Sequence, residues 1–139
     1  MPDPSTEVKV KRVVAALLLR ADEILCCQRA KDDPFPLKWE FPGGKIEPNE
    51  SPEAALRREL VEELAIEAEI GPLIETIRHT YTPGVVIELH FFRVDRWTSE
   101  IKNLIFNDVR WVHRNEMPSL DFLEADLELV REIAAGRKL

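Results

Sequence analysis

The sequence predicts an α/β fold in which helices cover a mixed β-sheet. Three observations carry that reading. The apolar run Val13–Leu19 has no polar alternation, as expected of a strand buried on both faces. Two helical stretches, one opening at Ser51-Pro52-Glu53 and one after Pro118, stand apart with strand-like segments around them. No internal repeat, low-complexity tract or linker interrupts the chain. Its 139 residues, 45% of them hydrophobic, make one domain able to bury a core without disulfides or a structural metal. That domain is expected over residues 8–139, with residues 1–7 as a frayed N-terminus.

In chain order, Val8 to Leu19 reads as a strand, Asp22-Glu23 as a tight turn and Ile24 to Arg29 as a second strand. Ala30 to Lys38, with Asp32, Asp33, Pro34 and Pro36, reads as a loop. Trp39-Glu40-Phe41 is a short extended piece, and Phe41-Pro42-Gly43-Gly44 a compact turn. Lys45 to Asn49 is a loop leading to a helix. Ser51 is its N-cap, Pro52 its first residue and Glu53 an acid in its first turn. Ile66 to Arg78 is strand broken at Gly71-Pro72. Thr82-Pro83-Gly84 turns into a long strand from Val85 to Trp97, and Val109 to His113 is the last strand. A final amphipathic helix is expected to bury Leu123, Leu127, Val130, Ile133 and Ala134.

Composition narrows the function. Nineteen basic against 26 acidic residues give a net charge of -7, which disfavours a nucleic-acid polymer as partner. A small polyanion remains open if a local cation offsets the acid. Basic Lys9, Lys11 and Arg12 ahead of Val13–Leu19 mimic a signal peptide, but Arg20 stops the run and it is too short to span a bilayer. No membrane partner is expected. Cys26 and Cys27 are neighbours, unsuited to a disulfide framework or a CxxC metal pair. One buried and one partly exposed thiol, in a reducing cytoplasm, is the expectation.

The chemistry concentrates on Arg58-Glu59-Leu60-Val61-Glu62-Glu63. On a helix, the three glutamates share about 100 degrees of one face. Leu56, Leu60, Leu64 and Val61 take another face and are expected in the core. Like charges four residues apart oppose the helix. A solvated acidic face is the plain alternative; a cradle for hard divalent cations is the functional one. Gly43 and Gly44 upstream allow close ligand approach and can offer a carbonyl oxygen. Glu47 and Glu50 add acids on the connecting loop. Glu50 is placed to reach Arg58 across the helix start.

Gly44, Glu50 and Arg58-Glu59-Leu60-Val61-Glu62-Glu63-Leu64-Ala65-Ile66 resemble the Nudix box: Gly, five residues, Glu, seven residues, Arg-Glu-U-x-Glu-Glu-x-Gly-U, where U is a bulky aliphatic. Every specified position matches except Ala65, which replaces a glycine. The resemblance implies an α/β/α sandwich around a mixed β-sheet and hydrolysis of a nucleoside diphosphate derivative with Mg²⁺ or Mn²⁺. It implies Glu59, Glu62 and Glu63 as metal ligands with the carbonyl of Gly43 or Gly44, and Glu50–Arg58 as the supporting ion pair. Metals in such a site offset phosphate charge and lower the pKa of a bound water.

Two departures matter. A left-handed Ala65 would cost roughly 1 kcal/mol. The glutamate that MutT-like members often carry six residues before a strand tryptophan is Ile105 here, counted from Trp111. Glu100 or Asp108 can substitute, or a box glutamate can serve alone; Glu59 and Glu62 lead as candidate general bases.

Trp39-Glu40-Phe41-Pro42-Gly43-Gly44-Lys45 is similar to the MutT and CTP-pyrophosphohydrolase group, which cleaves nucleoside triphosphates to the monophosphate and pyrophosphate. Gln28-Arg29-Ala30 resembles the segment whose arginine approaches the nucleotide. Phe122-Leu123-Glu124-Ala125-Asp126 resembles the stretch that carries a base-reading Asn, so Asp126 stands where that residue would be. An ionised Asp accepts hydrogen bonds only, which suits a guanine-type edge or the cytosine amino group. Phe41 can stack on a base or join the core. His79 and Tyr81 can line the pocket or be structural, and Trp97 and Trp111 read as core.

The expected function is sanitising 8-oxo-dGTP or a similar modified nucleotide, as a cytoplasmic monomer or homodimer. The rivals are a CTP or 5-methyl-dCTP pyrophosphohydrolase, an enzyme of dinucleoside polyphosphates or nucleotide sugars, and a nucleotide-binding module without turnover.

Overall fold

The computed structural model describes residues 8–139, so the expectation for the first seven residues lies outside it. Strands β1 (Lys9–Arg20) and β7 (Val85–Val94) run parallel at the centre, in register from Lys9↔Val85 to Leu18↔Val94. β6 (Leu73–Thr82) pairs antiparallel with β7 through the turn at Pro83-Gly84. β2 (Glu23–Gln28) shares only two register pairs with β1, Leu19↔Ile24 and Arg20↔Glu23. The two strands then part. β4 (Gly43–Lys45) takes the edge of β1, while β3 (Trp39–Glu40) and β9 (Asp108–His113) flank β2.

β1 is apolar without alternation because both faces of the sheet are covered. Val14, Ala16 and Leu18 pack with Leu56, Leu60 and Leu64 of α1 (Pro52–Leu64). Ala15, Leu17 and Leu19 pack with Leu129, Val130 and Ile133 of α2 (Leu127–Ala134). The result is the expected α/β/α sandwich. Leu56, Leu60 and Leu64 are fully buried, which stabilises the fold by roughly 1.5–3 kcal/mol each.

Helix α1 starts as expected. Ser51 Oγ accepts the Ala54 N–H at 3.1 Å, and Pro52 opens the first turn. It ends on Ala65, left-handed at φ 58°, ψ 35°, with its N–H directed at the carbonyls of Leu60 and Val61.

Several expectations need correction. Gly43 and Gly44, expected in a turn, and Lys45, expected in a loop, form strand β4, because the backbone beside β1 is free to pair. The long strand ends at Val94; β8 (Arg96–Thr98) leaves the main sheet and pairs with β5 (Glu67–Glu69). Both cysteines are fully buried, because β2 is central and covered on both faces. Val61 is half-exposed, at the rim of the apolar arc of α1. The last helix is short and is preceded by 3₁₀ turns at Arg114–Ser119 and Glu124–Asp126. It buries Leu129 in place of Ala134, and Leu123 lies ahead of it. No described helix is long and apolar enough to cross a membrane.

Candidate active site

α1 lies close on β4 because two glycines allow it. A Cβ at Gly43, where φ is +156°, would stand 1.9 Å from the Val14 carbonyl oxygen. A Cβ at Gly44 would stand 2.4 Å from Cδ of Glu59. The Glu59 carboxylate thus fills the space above Gly44. One turn on, Glu63 Oε1 accepts the Gly43 N–H at 2.9 Å. The glycine strand therefore seats two of the three box glutamates. Glu62 faces solvent, 3.5 Å from Arg58 Nη1.

Arg58 organises the helix start. Its Nε and Nη2 each donate to a Glu50 carboxylate oxygen at 2.9 Å, its Nη2 to the Lys45 carbonyl at 3.0 Å and its Nη1 to Glu59 at 2.9 Å. The Glu50–Arg58 pair joins loop to helix as expected. The guanidinium holds the Glu50 carboxyl down at about 2.

Burial is the main cause that raises the Glu59 carboxyl, with Arg58 opposing. Glu63 rises to about 8, chiefly through burial; the Gly43 N–H opposes, and the charges of Glu59 and Glu40 add to the rise. Among the described residues, no three His, Cys, Asp or Glu side chains already stand together as a metal cluster. Arg58 draws Glu59 and Glu62, while Gly43 holds Glu63. The donor set nevertheless fits a hard divalent cation: three carboxyl groups on one helix, outnumbering the one guanidinium among them, beside glycine backbone that a ligand can approach.

A cleft of about 410 Å³ leads away from Gly43, Gly44 and Glu63. Arg29, Glu40, Phe41, Tyr81 and Asp126 all line it. Arg29 Nη1 bonds Glu40 at 2.8 Å, and its Nε donates to the Pro34 carbonyl at 2.7 Å. Glu59, Glu62, Glu50 and Arg58 lie outside the cleft lining, on the helix side of Gly44. Phe41 is buried against Phe91 and Phe122, so its face is committed to the core while an edge reaches the cleft.

Asp126 lines the same cleft. It is held there by Trp39, whose N–H donates to the Asp121 carbonyl and whose carbonyl accepts the Leu123 N–H, both at 2.9 Å. The carboxyl is 4% exposed and has no hydrogen-bond partner among the described residues. Burial first, and then the Glu40 charge, push it up to about 8. Burial thus favours the protonated form over the ionised one considered from sequence. In that protonated form the carboxyl has one donor and one acceptor.

His79 and Tyr81 lie before the long strand β7, as expected, and belong to β6, which runs on past Arg78 to Thr82. Tyr81 reaches the cleft, whereas His79 is not part of its lining and stands edge-on to Tyr81 at 4.4 Å. Trp97 and Trp111 stack at 5.8 Å, away from the cleft. Ile105 lines the cleft as an apolar side chain, whereas Glu100 and Asp108 do not; Asp108 is engaged by Arg110 at 2.7 Å. The sequence reading missed Phe35, which packs on Tyr81 at 4.8 Å, and the wall Ile87, Leu89 and Phe91. The alternation in β7 carries the signal for that wall. Phe35, in a loop with φ +55°, has none.

A β-strand of glycines under a helix that presents Arg58, Glu59, Glu62 and Glu63, at one end of a nucleotide-sized cleft, defines a hydrolase of the Nudix class. The sequence profile of the NUDIX domain matches residues 9–133, and this chain belongs to the Nudix family. It is similar to the CTP pyrophosphohydrolase of Escherichia coli (strain K12), 34% identical over 130 residues that cover 94% of this chain and 96% of that protein. It is 33% identical over 122 residues to the 8-oxo-dGTP diphosphatase of Haemophilus influenzae, covering 86% and 89%. The solution structure of the Escherichia coli ORF135 protein matches at a TM-score of 0.83 and 33% identity, covering 97% of this chain and 94% of that one. The protein is thus a Nudix hydrolase acting on phosphoric anhydride bonds, and its relatives are nucleotide diphosphatases.

Proposed function

We propose that this hydrolase, with Mg²⁺ or Mn²⁺, cleaves nucleoside triphosphates to the monophosphate and pyrophosphate, with 8-oxo-dGTP or a similarly modified nucleotide preferred. The observation that carries the reading is one cleft lined both by Glu63 with the glycine strand and by the unpartnered Asp126 carboxyl. The base lies toward Asp126 and the phosphates toward Gly43-Gly44.

Glu59, Glu62 and Glu63, with a carbonyl of Gly43 or Gly44, would hold the divalent ion. When bound, the ion offsets phosphate charge and makes a water more acidic. The chain's own work is to position these groups. Arg58 anchors Glu59 and Glu50. The Gly43 N–H fixes Glu63. Glu59 or Glu62 accepts the proton of the water that attacks phosphorus, as a P–O bond of the α–β anhydride breaks and the triphosphate separates at that bond into nucleoside monophosphate and pyrophosphate. Arg29, paired with Glu40 in the cleft lining, offsets acid along the path of the nucleotide. A protonated Asp126 offers an O–H to a carbonyl and an oxygen to an N–H, the pairing a guanine-type edge presents.

A second reading, cytosine nucleotides, is favoured by likeness to the CTP pyrophosphohydrolase over nearly its whole length. In that case Asp126 accepts from the 4-amino group. Two buried free thiols suit a reducing, cytoplasmic setting. A panel of 8-oxo-dGTP, dCTP, 5-methyl-dCTP and a dinucleoside polyphosphate, scored for pyrophosphate release with Mg²⁺, decides among them. Fastest release from 8-oxo-dGTP is expected. Binding without turnover on every nucleotide would replace the enzyme with a binding module.

A further inference from the structure

The turn Glu124–Asp126 carries no side-chain cap of its own. One of its early N–H donors is satisfied from across the cleft instead. Tyr81 Oη, on β6, accepts the Ala125 N–H at 2.8 Å. The Tyr81 ring is held from two sides, by Phe35 at 4.8 Å and His79 at 4.4 Å. Tyr81 is therefore a fixed post, not a freely rotating side chain. Asp126 follows Ala125 directly, and its carboxyl has no protein partner among the described residues. The placement of that carboxyl is thus set by its backbone turn, and the tie from the turn across to β6 is the phenolic oxygen.

We propose that Tyr81 is a positioning residue for base selection: its oxygen caps the Ala125 N–H and so fixes where Asp126 meets the base. From sequence Tyr81 can line the pocket or be structural; in this proposal it acts through the turn. The proposal rests on the reading of Asp126 as the group that meets the base.

Tyr81→Phe keeps the ring and its packing and deletes the acceptor. Steady-state rates with Mg²⁺ are measured on 8-oxo-dGTP, dCTP, 5-methyl-dCTP and dTTP. For the best substrate, KM rises about five- to tenfold, the scale of one lost hydrogen bond, while kcat changes far less. Selectivity over dTTP falls by the same factor. In an Asp126→Ala background, Tyr81→Phe adds less than about twofold to the selectivity change, because the turn no longer carries the group being placed. A uniform loss on all four nucleotides, unchanged selectivity, or additive effects in the double variant overturn the proposal. A ranking that responds to Asp126→Ala but not to Tyr81→Phe sinks the positioning role alone. A ranking indifferent to Asp126→Ala sinks the base-reading assignment and this proposal with it.

Discussion

Glu63 Oε1 accepts the Gly43 N–H at 2.9 Å, which ties the last turn of α1 to strand β4 and places a buried carboxyl at the mouth of the cleft. Burial raises that carboxyl and one backbone N–H partly restores it. The arrangement disfavours negative charge until a cation arrives.

Glu63→Gln keeps the shape and the acceptor for Gly43 while deleting the charge. Turnover is expected to fall at least about a hundredfold, the scale of losing a charged group that organises a metal site. Thermal stability should hold or rise, because an isolated buried carboxyl is replaced by a neutral amide. Pyrophosphate release and a melting curve on the same preparation check this. An undiminished rate removes Glu63 from the site.

The two glycines should fail differently. A methyl at Gly43 meets the Val14 backbone carbonyl, and its positive φ penalises any side chain. Gly43→Ala should cost about 2 to 4 kcal/mol of stability through strain and overlap. A methyl at Gly44 meets only the carboxyl end of Glu59, which can move. Gly44→Ala should keep most of its stability and lose most of its turnover. Denaturant unfolding set beside rate measurements separates the two, and equal unfolding by both variants contradicts the geometry.

The box glutamates, the Ser51 cap and the Glu50–Arg58 pair were legible because each is a local pattern on one helix. The positions of Leu56, Leu60 and Leu64 were legible for the same reason. The β4 strand was not, because Gly43-Gly44 carries no side-chain periodicity and its pairing with Val14 is a long-range event. Nor was the protonated Asp126. Its raised pKa arises from burial under a segment that Trp39 pins from far along the chain. Phe35 on Tyr81 is likewise a contact between a loop and a distant strand.

Asp126 makes stability depend on pH. Its carboxyl moves from an ordinary 3.8 up to about 8 in the folded chain. Unfolded chain releases this proton near the lower value and folded chain near the upper one. Between them the folded state binds more protons, so stability falls as pH rises through the window. The contribution is present in full below pH 4 and lost above pH 8, a change on the order of a few kcal/mol. Asp126→Asn removes it. The melting temperature of the variant should match the parent at pH 4 and exceed it increasingly toward pH 8. A gap that stays constant with pH refutes the buried-carboxyl account.

Ala65 holds the left-handed position, φ 58° and ψ 35°, that ends α1 and directs its N–H at the carbonyls of Leu60 and Val61. A Cβ there crowds the following carbonyl, and glycine does not. Ala65→Gly should therefore stabilise the protein by roughly 1 kcal/mol, raising the melting temperature by about 3 °C for a domain of this size. The helix register of Glu59, Glu62 and Glu63 is unchanged by the swap, so kcat and KM should move by less than about twofold. A melting curve checks the gain. A loss of stability would show that the entropy glycine adds to the unfolded chain outweighs the strain relieved at the cap.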